Sequence, residues 1–151
     1  MNIKEEFRLA LRELVYPVCV VSAYNDQTNE NHAITVSSVT SLSFDPPSIL
    51  VCINKDSSIH SSLKKDSNFN ISFLASSQTE ISNLCGTDEL SDKRFDNDFW
   101  DFKNNIGFIK NSQSVISCTI KEITNHGSHS VFFGDVVEVI KNGNTKPLLY
   151  G

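Results

Sequence analysis

The clearest periodic signal lies at the start of the chain. Ile3, Phe7, Ala10, Leu11, Leu14 and Val15 fall at i, i+4, i+7, i+8, i+11 and i+12, one apolar stripe of an amphipathic helix. Pro17 ends it, because the residue before a proline is pushed out of the helical region. After Pro17 the period drops towards two. Val18 to Tyr24 reads as a buried strand, followed by a polar turn from Asn25 to Asn31. His32 to Thr40 alternates Ile34, Val36 and Val39 with hydroxyl residues and predicts one further strand. Asp45-Pro46-Pro47 breaks the chain ahead of an apolar strand from Ser48 to Asn54.

Ser58 to Lys65 predicts a short helix, and Phe69, Ile71 and Phe73 alternate with Asn70 and Ser72 as a strand. Ser77 and Glu80 have the spacing of a capping box, opening a short helix that ends near Gly86. Thr87 to Lys110 is a polar excursion whose aromatics, Phe95, Phe99, Trp100 and Phe102, either anchor it to the core or form a lid or subunit contact. Val115 to Thr124 and Ser130 to Ile140 predict two long strands joined at His126-Gly127-Ser128-His129. Asn142-Gly143 is a turn, and Lys146 to Tyr150 starts a last strand. About six strands among two or three helices, mostly joined as hairpins, predict a β-barrel with peripheral helices in a single domain spanning 1–151.

Composition narrows the function. The 151 residues carry a net charge of −5, which disfavours a nucleic-acid partner. Six glycines occur, none spaced as a dinucleotide fingerprint or a P-loop. The acidic start lacks the basic, apolar pattern of a secretory signal, and no apolar run approaches a membrane span. Cys19, Cys52, Cys85 and Cys118 show no ligand-pair spacing and sit among apolar neighbours, so buried free thiols of a cytoplasmic protein are expected.

No serine lies in a nucleophile-elbow motif. His126 and His129 are three apart but lack a third ligand, so no metal site is assigned. Thr35-Val36-Ser37-Ser38 with Thr40 and Ser41 forms a row of hydroxyls that suits a planar, polar-edged ring and equally suits cross-strand hydrogen bonding. Asn54 to Ser58 opens a helical turn whose free N–H groups favour a phosphate, although an ordinary N-cap explains Ser57 or Ser58 equally well.

Taken in order, these segments resemble the short-chain flavin reductase family. The resemblance runs through Tyr16-Pro17-Val18, Thr35-Val36-Ser37-Ser38, Ser41-Leu42-Ser43, Asp45-Pro46-Pro47, Asp92-Lys93-Arg94-Phe95, His129 and Phe132-Phe133-Gly134-Asp135. It implies an antiparallel Greek-key split β-barrel that binds FMN or FAD as a homodimer. By that resemblance NAD(P)H would reduce the flavin, and reduced flavin would pass to a partner monooxygenase. Thr35, Val36, Ser37, Ser38 and Ser41 would line the isoalloxazine. Cys52, Asn54, Ser57 and Ser58 would take the ribityl chain and phosphate, helped by Arg94. Ala75 would lie against the cofactor, Phe95 would cover it, and His129 would stand near the nicotinamide. A non-catalytic flavin carrier and a pyridoxamine-phosphate-oxidase-like enzyme are the alternatives within that fold. Two departures stand out: Gly127-Ser128-His129 replaces the family's Gly-Asp-His, and the chain stops at Gly151 where relatives commonly continue.

Overall fold

The computed structural model describes residues 2–143 and 145–150. Helix α1 spans Ile3–Arg12, with the Asn2 side chain accepting the Glu5 N–H at 2.9 Å as its N-cap. Glu5 and Glu6 in the first turn and Arg12 in the last complement the helix dipole. The helix ends before Leu14 and Val15, sooner than the stripe predicts, and none of its residues is buried. Ile3, Phe7, Leu9 and Leu11 on it are exposed.

The strands are β1 (Tyr16–Pro17), β2 (Cys19–Asn25), β3 (Glu30–Val36), β4 (Val39–Phe44), β5 (Pro47–Asn54), β6 (Asn68–Phe73), β7 (Trp100–Lys103), β8 (Ile106–Ile109), β9 (Ser114–His126), β10 (His129–Lys141) and β11 (Leu149–Tyr150). Helix α2 covers Thr79–Gly86, and 3-10 turns cover Ser58–Ser62 and Asp88–Lys93. Seven strands form one antiparallel sheet in the order β3-β2-β6-β9-β10-β5-β4. The two edge strands, β3 and β4, are consecutive in sequence and separated only by Ser37 and Ser38. A link that short spans about 10 Å, so the sheet must curl until its edges meet. That meeting point is the split of the barrel.

The single strand expected from His32 to Thr40 is therefore two strands. Alternation continues on both sides of the break, which hides it from a periodicity argument. The expected capping box is absent as well. Gln78 precedes α2 without a side-chain cap, and its Oε1 accepts the Ala75 N–H instead.

Val21, Val51, Phe69, Ile71, Ile120 and Phe132 fill the barrel interior. A second cluster, including Val20, Ala33, Leu74, Ile81, Cys85 and Trp100, packs outside the sheet. The 87–110 excursion is anchored there. Trp100 is buried and stacks on Phe95 at 4.3 Å, Phe99 packs on the same cluster, and Phe102 is exposed. The hairpin β7–β8 docks on the outward polar positions of β2 and β6. The Gly107 carbonyl accepts from Ser22 Oγ and Asn70 Nδ2, and Ser72 Oγ accepts the Ile109 N–H. Polar residues inside otherwise apolar strands thus have a structural use. All four cysteines are free thiols, with Cys52 half-buried and the others buried. No described helix is long and apolar enough to cross a membrane.

Candidate functional site

Strand β3 supplies one wall of two neighbouring cavities. The larger, about 310 Å³, opens between Thr35, Val36 and Ser37 and the exposed face of α2, with Tyr150 at one end. Thr35 Oγ1 donates to the Ser82 carbonyl at 2.7 Å and fixes strand against helix. Gly86 is four residues from Ser82, on the same face. A Cβ there would lie 3.6 Å from Thr35 Cβ, an ordinary van der Waals contact, so this face of α2 packs directly on β3. Ser82, Asn83 and Thr87 complete a polar lining opposite the hydroxyl row.

Ser38 lies just past this wall and joins the split to β5. Its Oγ donates to the Cys52 carbonyl at 2.8 Å, and its own carbonyl accepts the Cys52 N–H at 3.1 Å. Ser41 is exposed on β4 opposite Ile49 and lines neither of these two cavities. Cys52 pairs with Val131, and Asn54 pairs with His129 across β5 and β10. Asn54 Oδ1 accepts the Asp56 N–H, and Ser57 Oγ donates to the Asn54 carbonyl at 2.7 Å. Ser57 is committed to the turn. Ser58 is exposed, and its hydroxyl has no partner among the described residues.

Ser58 lies on the second cavity, about 220 Å³, with His32, Asp92, Arg94 and Phe95. Arg94 is only 6% exposed, and its guanidinium donates to the carbonyls of Ala33, Leu84 and Thr87. These bonds clamp β3, α2 and the following 3-10 turn together. Its Asp88 contact is a long 3.9 Å to a fully exposed carboxylate. Ala75 is buried, bridges Pro147 and lines neither cavity. His129 is exposed at the β9–β10 hairpin, with Nδ1 2.8 Å from Ser128 Oγ.

The thiols are poor nucleophile candidates. Burial pushes Cys19, Cys85 and Cys118 up to about 12, with the nearby Arg94 charge pulling Cys85 the other way and Asp135 adding to the rise at Cys118. Among the described residues no group of three or more His, Cys, Asp or Glu could hold a metal.

Sequence reasoning missed Ser82, Asn83, Thr87, His32 and Tyr150. The one available signal was the pair of small residues, Ser82 and Gly86, at helical spacing.

The fold is thus a split barrel with a hydroxyl-lined groove beside the β3 edge of its sheet. The chain belongs to the family described as flavin reductase like domain, whose model matches residues 11–151. It is 30% identical over 150 residues to the reductase component of the FADH(2)-dependent resorcinol hydroxylase of Rhizobium sp. (strain MTP-10005), covering 99% of this chain and 84% of that one. It is 29% identical over 148 residues to the FMN reductase (NADH) RutF of Pantoea ananatis (strain LMG 20103), covering 97% and 77%. The NADH:FAD oxidoreductase of Streptomyces globisporus C-1027, solved in complex with NAD and FAD fragments, superimposes with a TM-score of 0.89 at 22% identity, covering 99% and 88%. At that identity it speaks for the fold.

Proposed function

We propose that this protein is an NADH-dependent flavin reductase that hands reduced flavin to a partner monooxygenase. The observation that carries the reading is the groove along β3, in a chain whose relatives are reductases. The residues fit a flavin. A cavity of about 310 Å³ is in the range of small-molecule sites, and its Thr35, Ser37, Ser82 and Asn83 lining offers donors and acceptors to a ring's polar edge. The unpaired edge of β3 adds backbone N–H and carbonyl groups.

When bound, nicotinamide and flavin supply the chemistry themselves, a hydride passing from C4 of one to N5 of the other. The chain's task is placement. Thr35, Val36 and Ser37 orient the ring, and Ser38 ties this wall to β5 through Cys52, whereas Ser41 and Ala75 line neither cavity and take no direct part. Asn54, Ser57 and Ser58 present a polar turn to the ribityl chain and phosphate, and Phe95 closes the far cavity. Arg94 acts here by holding β3, since its donors are already engaged. His129 projects from the hairpin to meet the nicotinamide, with Ser128 orienting its imidazole.

A homodimer is part of the same reading. The unburied stripe of α1 and the exposed Val137, Val139 and Ile140 form apolar surface that a second copy would cover. Free thiols support a cytoplasmic setting.

The test is to titrate the purified protein with FMN and with FAD, then mix it with NADH or NADPH and follow flavin bleaching in stopped flow. Bleaching at catalytic rates with NADH supports the reading. Bound flavin that neither nucleotide reduces would make the protein a carrier instead.

A further inference from the structure

A hydrogen-bond chain outside the groove links the 3-10 turn Ser58–Ser62 to the β9–β10 hairpin. His60, in the 3-10 turn Ser58–Ser62, places Nε2 2.8 Å from Ser130 Oγ. Ser130 is fully buried, and its hydroxyl donates to Asn125 Oδ1 at 2.6 Å. A hydroxyl has one proton, and that proton goes to Asn125. Nε2 of His60 therefore carries the hydrogen, which assigns the imidazole's tautomer from the network. Phe132 holds the ring edge-on, with centroids 5.6 Å apart.

The placement is specific. His60 lies two residues beyond Ser58, Ser130 directly follows His129, and Asn125 faces Ser130 across the hairpin. A second bond, Lys55 N–H to the Ser128 carbonyl at 2.9 Å, ties the same two segments together. We propose that His60 is a positioning residue: through Ser130 and Asn125 it sets the distance between the turn that seats the flavin phosphate and the hairpin that carries His129. The proposal rests on the roles given above to Ser57, Ser58 and His129. A polar chain centred on the buried Ser130 suits this purpose because hydrogen bonds fix direction as well as distance, whereas apolar contact alone lets a short turn slide.

The experiment compares His60→Leu, Ser130→Ala, the double variant and His60→Gln, whose amide nitrogen can donate from a similar position. FMN dissociation constants, limiting reduction rates with NADH and melting temperatures are measured for each. His60→Leu and Ser130→Ala should each weaken FMN about tenfold, the worth of one hydrogen bond, and slow reduction. The double variant should be no worse than either single, because both break the same chain. His60→Gln should restore FMN affinity. Nitrogen NMR of the flavin-free protein should show His60 protonated at Nε2. Unchanged FMN affinity and reduction in folded His60→Leu overturn the proposal, as does an imidazole protonated only at Nδ1. A fall in melting temperature without rescue by His60→Gln also overturns it, leaving a purely structural role. The underlying reading fails separately, if wild-type protein does not bind FMN or if replacing Ser57 and Ser58 leaves its affinity unchanged.

Discussion

Arg94 separates two physical accounts of one residue. As a phosphate ligand it would be removable with loss of flavin affinity and little else. In the structure it is a clamp: 6% exposed, donating to the Ala33, Leu84 and Thr87 carbonyls, while its own carbonyl accepts from Trp100 Nε1. Arg94→Ala strands three acceptors that water reaches poorly. Hydrogen bonds to a charged donor are worth about 1.5–3 kcal/mol each, partly offset by relief from burying the guanidinium. The net loss should be about 3–5 kcal/mol, which lowers the melting temperature by about 10 °C for a chain of this size. Arg94→Lys should recover only a small part, because one ammonium cannot span three diverging carbonyls. Urea unfolding followed by circular dichroism, together with FMN titration, provides the assay. A variant of wild-type stability that had lost FMN affinity would refute the clamp and restore the phosphate role.

His129→Ala should slow flavin reduction about tenfold and leave FMN affinity largely intact, whereas replacing Ser57 and Ser58 together should mainly raise the FMN dissociation constant; stopped flow and titration giving the opposite pattern would contradict both assignments. Burial raises the Cys19, Cys85 and Cys118 thiols from 9.0 to about 12, so each contributes stability that is complete below pH 9 and lost as pH rises through 12. That amounts to about 1.4 kcal/mol per pH unit per thiol, and Cys85→Ala should flatten the fall by about a third; stability independent of pH between 9 and 11 would disprove it. At Gly134, in the β9–β10 bulge, an added Cβ would sit 2.8 Å from Cys118 Cβ and 3.1 Å from the Phe69 ring. Gly134→Ala should cost about 1–3 kcal/mol in urea unfolding, and a neutral result would mean that the barrel wall yields more easily than its packing suggests.

Local patterns determined much of this molecule. Alternation along 69–73 and 130–140 placed the barrel strands, the stripe from Ile3 placed α1, and the glycine spacing excluded a Rossmann fingerprint and a P-loop. The ordered resemblance from Tyr16 to Asp135 pointed to the family that the comparison then established. Other features depended on contacts between distant segments. The split at Ser37-Ser38 is invisible to periodicity because alternation persists through it, and only closure of the sheet forces the break. Arg94 in Asp92-Lys93-Arg94-Phe95 is indistinguishable in sequence from a surface cation. Its role was decided by three carbonyls that the fold gathers from 33, 84 and 87. His60 carried no motif at all, and Ser130 reaches it across 70 positions of chain. Short-range order is written in neighbouring residues, whereas a hydrogen-bond partner that far along the chain exists only once the barrel has closed.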